Sequence, residues 1–246
     1  MARPATPGPV TVPKYFQVKS KVYAVLDGLG EGAALPTERE LAERFGVARM
    51  TVRQAIRDLR LEGRVQRRGR STVVAGPKLV QPLMLASYTE GVRQQGLEPG
   101  RRLITFEQIT ADETLAGELH IEPGAAVLHL ERLLLADDER VGLESTYLPT
   151  DRFPTLMAEF DPGTSLYAYL RAIGVVFAEA DERIETVLAA PREVVLIGTA
   201  PALPMLLLNR ITRDASGCPI ERVRSLYRGD RFSFTARLTP YNPAGA

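Results

Sequence analysis

Apolar residues in the first quarter of the chain recur at the spacing of amphipathic helices. Pro13 suits the start of a first helix and Gly30 its end, while Thr37 precedes a second helix, ERELAERF, which Gly46 ends. A third helix is predicted from about residue 49 to residue 62. The positions expected to be buried in these helices are Tyr15, Val18, Val22, Val25, Leu26, Leu29, Leu41, Ala42, Phe45, Val52, Ala55, Ile56 and Leu59.

Beyond the third helix, the pattern becomes that of short strands. The stretch RVQRRGRSTVVAG predicts two strands around a tip at Arg68-Gly69-Arg70. From residue 83 onward, strands alternate with short helices, and hairpin turns are expected at Asp137-Asp138 and at residues 215–217. The last three strands are expected to be antiparallel. Hairpin-connected strands with helices packed to one side predict an α+β fold.

These patterns divide the chain into four segments. We expect a disordered Pro-rich tail over residues 1–10, a helical domain with its strand pair over 11–76, a linker over 77–82, and a mainly antiparallel sheet domain with flanking helices over 83–246.

Composition narrows the class of protein. The chain has 246 residues, of which 45% are hydrophobic and 25% charged, as in ordinary globular proteins. A lone cysteine, Cys218, excludes an internal disulfide framework and a cysteine-based zinc site and fits a cytoplasmic protein. No apolar run approaches the roughly 20 residues that span a bilayer. We therefore expect no membrane segment, no metal and no cofactor.

Charge is distributed unevenly along the chain. The formal net charge is +1, yet residues 39–70 hold ten arginines, no lysine and four acidic residues, an excess of six positive charges. Three of these arginines, Arg49, Arg53 and Arg57, form a stripe on the exposed face of the third helix. This asymmetry is typical of a basic module joined to a neutral or acidic one.

Two helices joined by a short Gly-containing turn, the second lined with Arg and Thr, predict a helix-turn-helix that enters the major groove of DNA. The basic strand pair after it would be a wing whose glycine tip enters a minor groove. The alternative is a solvated Arg-rich helix in a three-helix module that binds protein. The predicted DNA-contacting residues are Arg39, Arg49, Thr51, Arg53, Arg68, Gly69 and Arg70.

The phrases LPTERELA and RMTVRQAI resemble the winged helix-turn-helix of the GntR superfamily of transcription regulators, and the resemblance covers Leu35 to Ala75. It implies that the residues matching Arg39, Arg49, Thr51 and Arg53, with the wing glycine, contact DNA. Two positions depart from the family pattern. Ala48 stands where a phosphate-contacting serine is common, and the wing RRGRST is one residue shorter than the usual form.

The sheet domain offers a candidate ligand site. Ser87 begins a capping box, and Thr164 or Ser165 begins another helix; helix N-termini with free N–H groups bind anions. Arg132 and Glu144 lie within strands, and period-2 alternation puts Glu221, Val223, Ser225 and Tyr227 on one face. Alternatively, the serines only cap helices, the glutamates pair with arginines on the sheet, and Tyr227 belongs to the core.

From about Leu83 to the end, the chain resembles the UTRA effector domain of HutC-type GntR regulators, which has a chorismate-lyase-like fold. The phrases SYTEGVRQQGLEPG, TSLYAYL, ERIETVLA and VRSLYRGDRFSF are especially similar to DasR/NagR-type regulators of amino-sugar metabolism. The resemblance implies two groups of effector-binding residues: around a phosphate, Ser87, Tyr88, Thr89, Arg132, Ser165 and Tyr167; and around a sugar, Glu144, Glu221 and Tyr227.

One position in this resemblance bears on the ligand. Related strands commonly carry two arginines two residues apart, whereas here Arg132 is followed by Leu134. Losing a charged hydrogen bond of this type costs roughly 1.5–3 kcal/mol. Either Arg224, Arg140 or another group compensates, or the effector carries less negative charge.

The expected function is a ligand-responsive transcription regulator, a repressor of carbohydrate or amino-sugar metabolism. It would act as a homodimer on a pseudo-palindromic DNA operator and respond to a phosphosugar such as glucosamine 6-phosphate or N-acetylglucosamine 6-phosphate. The alternatives are a regulator of a less anionic metabolite, an architectural DNA binder without a ligand, and a lyase-like enzyme. The enzyme is disfavoured because neither of the two histidines belongs to a nucleophile constellation, and no P-loop, dinucleotide or metal motif occurs.

Overall fold

The structure is a computed structural model that describes residues 13–238. The chain divides into two compact units, Met1–Pro77 and Lys78–Ala246. The predicted disordered tail, residues 1–10, lies outside the described residues.

The first unit contains the three predicted helices and the predicted strand pair. Its elements are α1 (Lys14–Leu26), α2 (Glu38–Phe45), α3 (Arg49–Leu61), β1 (Val65–Arg68) and β2 (Ser71–Val74). A capping box of Thr37 and Glu40 starts α2, and Gly46 ends it in the left-handed region at φ +64°. The buried faces of the three helices meet around Leu41, Val52 and Leu59, each with no exposed surface. Because this core buries one face of α3, the arginines of the helix lie on its outer face.

The second unit has eight strands and five helices within the described residues. The strands are β3 (Leu79–Pro82), β4 (Pro99–Thr110), β5 (Ala126–Ala136), β6 (Glu139–Pro149), β7 (Glu179–Leu188), β8 (Pro204–Arg213), β9 (Pro219–Arg228) and β10 (Phe232–Thr235). The helices are α4 (Tyr88–Arg93), α5 (Glu113–Leu119), α6 (Leu156–Glu159), α7 (Leu166–Ala172) and α8 (Pro191–Ile197). Six strands form an antiparallel sheet in the order β4-β5-β6-β9-β8-β7. The α+β expectation is confirmed.

The structure corrects two expectations about this unit. Residues 79–82, predicted as part of a linker, form β3, which pairs in parallel with β10. Strand β10 therefore does not continue the antiparallel sheet as its third expected strand. The two segments lie about 150 residues apart in sequence, so local patterns contain no signal for their pairing.

Helices flank both faces of the six-stranded sheet, not one face as expected. On one face, α7 packs on Leu128 and Leu130, and α4 packs on Leu134. Arg132 belongs to the same face by alternation and lies between these two apolar clusters. On the other face, α5 packs against Val127. The sheet thus carries a buried cation at a gap between two parts of its core.

Candidate nucleic-acid interface and ligand cavity

The arginine stripe of α3 is exposed and partly ordered by an acidic residue of α2. Glu38 accepts from Arg49 Nε at 3.2 Å and from Arg53 Nη2 at 2.9 Å. The Arg53 hydrogen bond is the largest cause of a lowered pKa at Glu38. Both guanidiniums remain more than half exposed, at 62% for Arg49 and 51% for Arg53. They are therefore held side by side at the start of α3 and remain accessible to an anionic partner.

The other predicted residues of the helix-turn-helix also reach the surface. Arg39 is exposed and lies 4.0 Å from Glu43, while Thr51 is half-buried on the first turn of α3. Ala48 stands at the N-cap of α3 and provides no side-chain cap. Arg57 donates to Gln54 on its own helix at 3.0 Å, so it is bound differently from Arg49 and Arg53.

The predicted wing is an antiparallel pair with Arg68 opposite Ser71. Gly69 has φ +59° at the tip, a left-handed conformation that glycine adopts without strain. Arg68 and Arg70 flank it and are exposed. Glycine and two arginines thus occupy the projecting end of the strand pair.

The second unit contains a cavity on the sheet face that carries Arg132. Eight of the nine predicted effector-binding residues line it, namely Ser87, Tyr88, Arg132, Glu144, Ser165, Tyr167, Glu221 and Tyr227. The ninth, Thr89, accepts a hydrogen bond from Arg101 at 2.8 Å. Residues far apart in sequence are therefore brought together around one space.

Ser87 and Ser165 each cap a helix and also line the cavity, so both roles considered from the sequence apply to them. Ser87 Oγ accepts from the Glu90 N–H at 3.2 Å, and Ser165 Oγ accepts from the Ala168 N–H at 3.3 Å. Each therefore caps its helix, α4 or α7, and also contributes to the cavity wall. Tyr227 likewise lines the cavity and belongs to the core, with its ring centroid 4.3 Å from that of Phe232.

An arginine that the sequence did not single out lines the cavity beside Arg132. Arg101 of β4 lies directly opposite Leu134 of β5 in the ladder. Directly opposed residues of antiparallel strands project to the same face with neighbouring Cβ atoms. Arg101 stacks 5.4 Å from the Tyr88 ring centroid. Burial, and then the Arg132 guanidinium, lower the pKa of Arg101. A bound anion would offset both effects.

The other groups expected to compensate for Leu134 are engaged elsewhere. Leu134 is fully buried in the apolar cluster with Tyr88 and Tyr227. Arg140 donates to the Leu196 carbonyl at 3.1 Å, and Arg224 pairs with Glu193 at 2.7 Å. Arg101 is therefore the arginine that lines the cavity from the position opposite Leu134.

Carboxyl groups form another part of the wall. Glu221 is fully buried, and its Oε1 accepts from the Tyr167 hydroxyl at 2.6 Å and from Thr212 at 3.1 Å. Burial raises the pKa of Glu221. Burial, and then the Glu221 carboxyl, also raise the pKa of Tyr167. This carboxyl therefore favours a partner that donates hydrogen bonds or carries positive charge.

Most other charges of the cavity are paired. Arg132 Nη2 lies 2.7 Å from Glu144 Oε1, as one of the sequence alternatives expected. Arg210 Nε lies 2.9 Å from Glu182 Oε1, and neither of these two residues was predicted. Arg101 makes no ion pair with any residue between 13 and 238.

Buried polar atoms without a hydrogen-bond partner concentrate at this cavity. Six such side-chain atoms occur in the described part of the chain, and four belong to its lining: Gln81 Oε1, Arg101 Nε, Arg132 Nε and Glu221 Oε2. Buried polar groups are almost always hydrogen-bonded to protein or water. Two donors and two acceptors are thus available to a polar ligand.

Other kinds of site find no support in residues 13–238. No group of three or more His, Cys, Asp or Glu side chains there could hold a metal ion. No helix in that range is long and apolar enough to cross a membrane.

Comparison with known families assigns both units. Residues 25–74 match the bacterial regulatory proteins of the gntR family, and residues 94–233 match the UTRA domain. The chain belongs to the GntR family of transcription regulators, with a UTRA effector domain. The members of this family, including the relatives similar to this chain, are transcription regulators, so the chain is not a lyase-like enzyme.

Two curated relatives are similar over nearly the whole chain. The HTH-type transcriptional repressor PhnF of Mycolicibacterium smegmatis is 50% identical, over 94% of this chain and 95% of that protein. The HTH-type transcriptional repressor NagR of Bacillus subtilis is 34% identical, over 91% of this chain and 93% of that protein. The crystal structure of PhnF from Mycobacterium smegmatis superposes with a TM-score of 0.68 over 91% of this chain and 100% of that chain.

Proposed function

We propose that this regulator is a homodimeric transcription repressor that releases a pseudo-palindromic operator when a small phosphosugar binds its UTRA domain. The observation that carries the effector part is the cavity, whose lining includes Arg101, Arg132 and Arg210 together with two buried acceptors that have no partner in the described chain. Repression is also supported by similarity to proteins named as repressors.

The cationic part of the cavity favours a phosphate-like group. Arg132 is balanced by Glu144, but Arg101 has no carboxylate partner in the described chain. A tetrahedral oxyanion can accept from both guanidiniums and from the Ser87 and Ser165 hydroxyls. The position of Arg101 opposite Leu134 supports a phosphorylated effector over a less anionic one.

The acceptor part of the cavity favours hydroxyl or amino groups. Glu221 Oε2 and Gln81 Oε1 are buried acceptors without donors among residues 13–238, and Tyr227 belongs to the same wall. Sugar hydroxyls and the amino group of an amino sugar are donors that fit them. Glucosamine 6-phosphate and N-acetylglucosamine 6-phosphate carry both kinds of group and are the proposed effectors.

The DNA part of the proposal assigns roles within the first unit. Arg49, Thr51 and Arg53 would contact base edges and phosphates from the start of α3, with Arg39 beside them. The wing tip, Arg68-Gly69-Arg70, would enter the minor groove. Two such units in a dimer would occupy half-sites about one helical turn apart.

Calorimetric titration and operator binding together test this function. The regulator first selects its operator from a pool of random DNA duplexes. We expect glucosamine 6-phosphate or its N-acetyl form to bind at micromolar concentration and to weaken operator binding at least tenfold. Glucosamine, inorganic phosphate and methylphosphonate serve as partial ligands. Binding of only the simple anions, or an operator affinity that saturating phosphosugar leaves unchanged, would overturn the proposed effector.

A further inference from the structure

Gln81 lines the cavity from β3, the first strand of the second unit. Its side chain is 6% exposed, and its Oε1 has no hydrogen-bond partner in the described chain. It is the fourth residue after Pro77, where the first unit ends. A ligand that donates to Gln81 therefore touches the strand that leads directly from the DNA-binding unit.

The amide of Gln81, which belongs to the cavity lining, packs against the backbone of α4 at Gly91. Gly91 lies in the interior of α4, where glycine is less favourable than alanine. A Cβ at Gly91 would stand 2.9 Å from both Cδ and Oε1 of Gln81. The absence of a side chain at position 91 thus makes room for the amide.

Strand β3 is joined to the cavity through α4 as well. The Val80 N–H donates to Gln95 Oε1 at 2.7 Å, and Gln95 Nε2 donates to the Gly91 carbonyl at 2.9 Å. Its pairing with β10 involves only four residues of each strand. Leu79 of β3 and Phe232 of β10 are buried in the same apolar cluster as Tyr88 and Tyr227 of the cavity wall, so a ligand that contacts this wall also contacts the packing of β3.

We propose that Gln81 accepts a hydrogen bond from the effector and thereby couples effector binding to β3 and to operator release. This inference rests on the proposed effector-dependent function. An effector shifts an equilibrium only through contacts that differ between the two states. The residues of the six-stranded sheet bind the ligand, and the hydrogen bond to Gln81 links ligand binding to the strand that follows the DNA-binding unit.

The test compares operator affinity with and without saturating glucosamine 6-phosphate, measured by fluorescence anisotropy. Gln81→Met keeps the length and burial of the side chain but removes the acceptor. We expect effector affinity, measured by calorimetry, to fall about five- to tenfold. At saturating effector, the tenfold or greater weakening of operator binding in the unmodified protein should shrink to less than twofold.

A second variant displaces the Gln81 side chain while residue 81 itself remains glutamine. In Gly91→Ala, the new methyl group requires the Gln81 side chain to move, and we expect the same loss of coupling. Gly117→Ala is the matched control, since Gly117 also lies inside a short helix, α5, but a Cβ there meets nothing within 4 Å. It should keep the full effect of the effector, and melting temperatures of all three variants establish that they are folded.

The outcomes separate the two proposals. If the unmodified protein releases DNA with effector, and Gln81→Met and Gly91→Ala release it equally well at saturation, the coupling role of Gln81 is wrong while the proposed function stands. If the unmodified protein does not bind glucosamine 6-phosphate, the proposed effector fails, and the inference fails with it. Loss of release in Gly117→Ala as well would also overturn a specific role for Gln81.

Discussion

At the scale of single residues, the charge balance of the cavity depends on Arg101. The Nε atoms of Arg101 and Arg132 are both buried and have no acceptor among residues 13–238, but Arg132 is also paired with Glu144 and donates to the Thr164 carbonyl at 3.0 Å. Arg101 donates to a neutral hydroxyl, that of Thr89, and has no carboxylate partner in that range. An anionic ligand therefore gains most from Arg101.

Replacing Arg101 tests this assignment. We expect Arg101→Met to lower affinity for glucosamine 6-phosphate at least tenfold, because a charged hydrogen bond contributes roughly 1.5–3 kcal/mol. Arg102→Met is the control, since Arg102 is exposed and alternates to the other face of β4. Calorimetry should show no more than a twofold change for the control. Equal affinities of the two variants would contradict a role for Arg101.

The sequence predicted the cavity residues that share one strand face and missed residues whose position depends on the register between strands. Alternation along β9 correctly grouped Glu221 with Tyr227, because neighbours on one strand face follow from the period of two. Arg101 was missed, although its strand was predicted. Its place opposite Leu134 depends on the register between two strands, which packing of the whole sheet decides.

At the scale of elements, α3 presents two arginines that pair with the same acidic residue of α2. Glu38 on α2 holds Arg49 and Arg53 close to each other, while Arg57 donates to Gln54 on its own helix. The first two are thereby placed together at the N-terminal end of α3. Helix-turn-helix proteins bring this end of the recognition helix to the base edges.

Alanine substitutions along α3 should separate these roles. Arg49→Ala should weaken binding to the selected operator more than tenfold, since a bidentate base contact contributes about 1–3 kcal/mol. Arg57→Ala should weaken it less than threefold. Anisotropy measures both, and dimerisation and effector binding should stay unchanged. A larger effect at Arg57 than at Arg49 would contradict the proposed orientation of the helix.

Strand β5 and helix α8 are joined by a charge pair on the face away from the cavity. Glu131 is buried and accepts from Arg192 Nη2 at 2.5 Å and Nη1 at 2.8 Å, with Ser145 and His129 beside it. The Arg192 hydrogen bonds are the largest cause of a lowered pKa at Glu131. A carboxyl with a lowered pKa stabilises the fold above its ordinary pKa, and this contribution is lost as the pH falls.

Arg192→Ala should therefore destabilise the UTRA domain in a pH-dependent way. At pH 7 we expect a loss of roughly 1.5–3 kcal/mol, because the buried carboxylate loses its charged donor. The loss should shrink as the pH falls through the ordinary carboxyl pKa of 4.5. Scanning calorimetry at several pH values measures this. Arg213→Ala, which removes a pair with the exposed Asp181, should cost less than 1 kcal/mol. A constant loss at Arg192 across that range would contradict the linkage.

The sequence predicted the ends of helices and the positions of hairpin turns correctly where a capping residue or a turn residue determines them. The helix start at Thr37, the capping box at Ser87 and the hairpin turn at Asp137-Asp138 are local signals, and all lie where they were predicted. The pairing of β3 with β10 is not local, and it was missed. A strand of four residues bounded by prolines resembles a linker until its partner is known.

At the scale of the whole molecule, the proposed homodimer predicts a spacing rule for DNA. Two DNA-binding units in one dimer require half-sites on the same side of the duplex. Inserting about five base pairs, half a helical turn, between the half-sites should weaken binding at least tenfold, and inserting about ten should restore much of it. Sedimentation with labelled duplex should give two chains per operator. Equal affinity for all spacings, with one chain bound per half-site, would contradict the dimer.

The opposition of Arg101 and Leu134 has a consequence for how relatives of this regulator are compared. A comparison made one position at a time considers Leu134 alone and finds no charge there. In the folded sheet the two positions form one rung, and the rung still carries one guanidinium toward the cavity. Ligand preference in such domains is therefore better compared rung by rung, since the residue opposite a position can supply a charge that the position itself lacks.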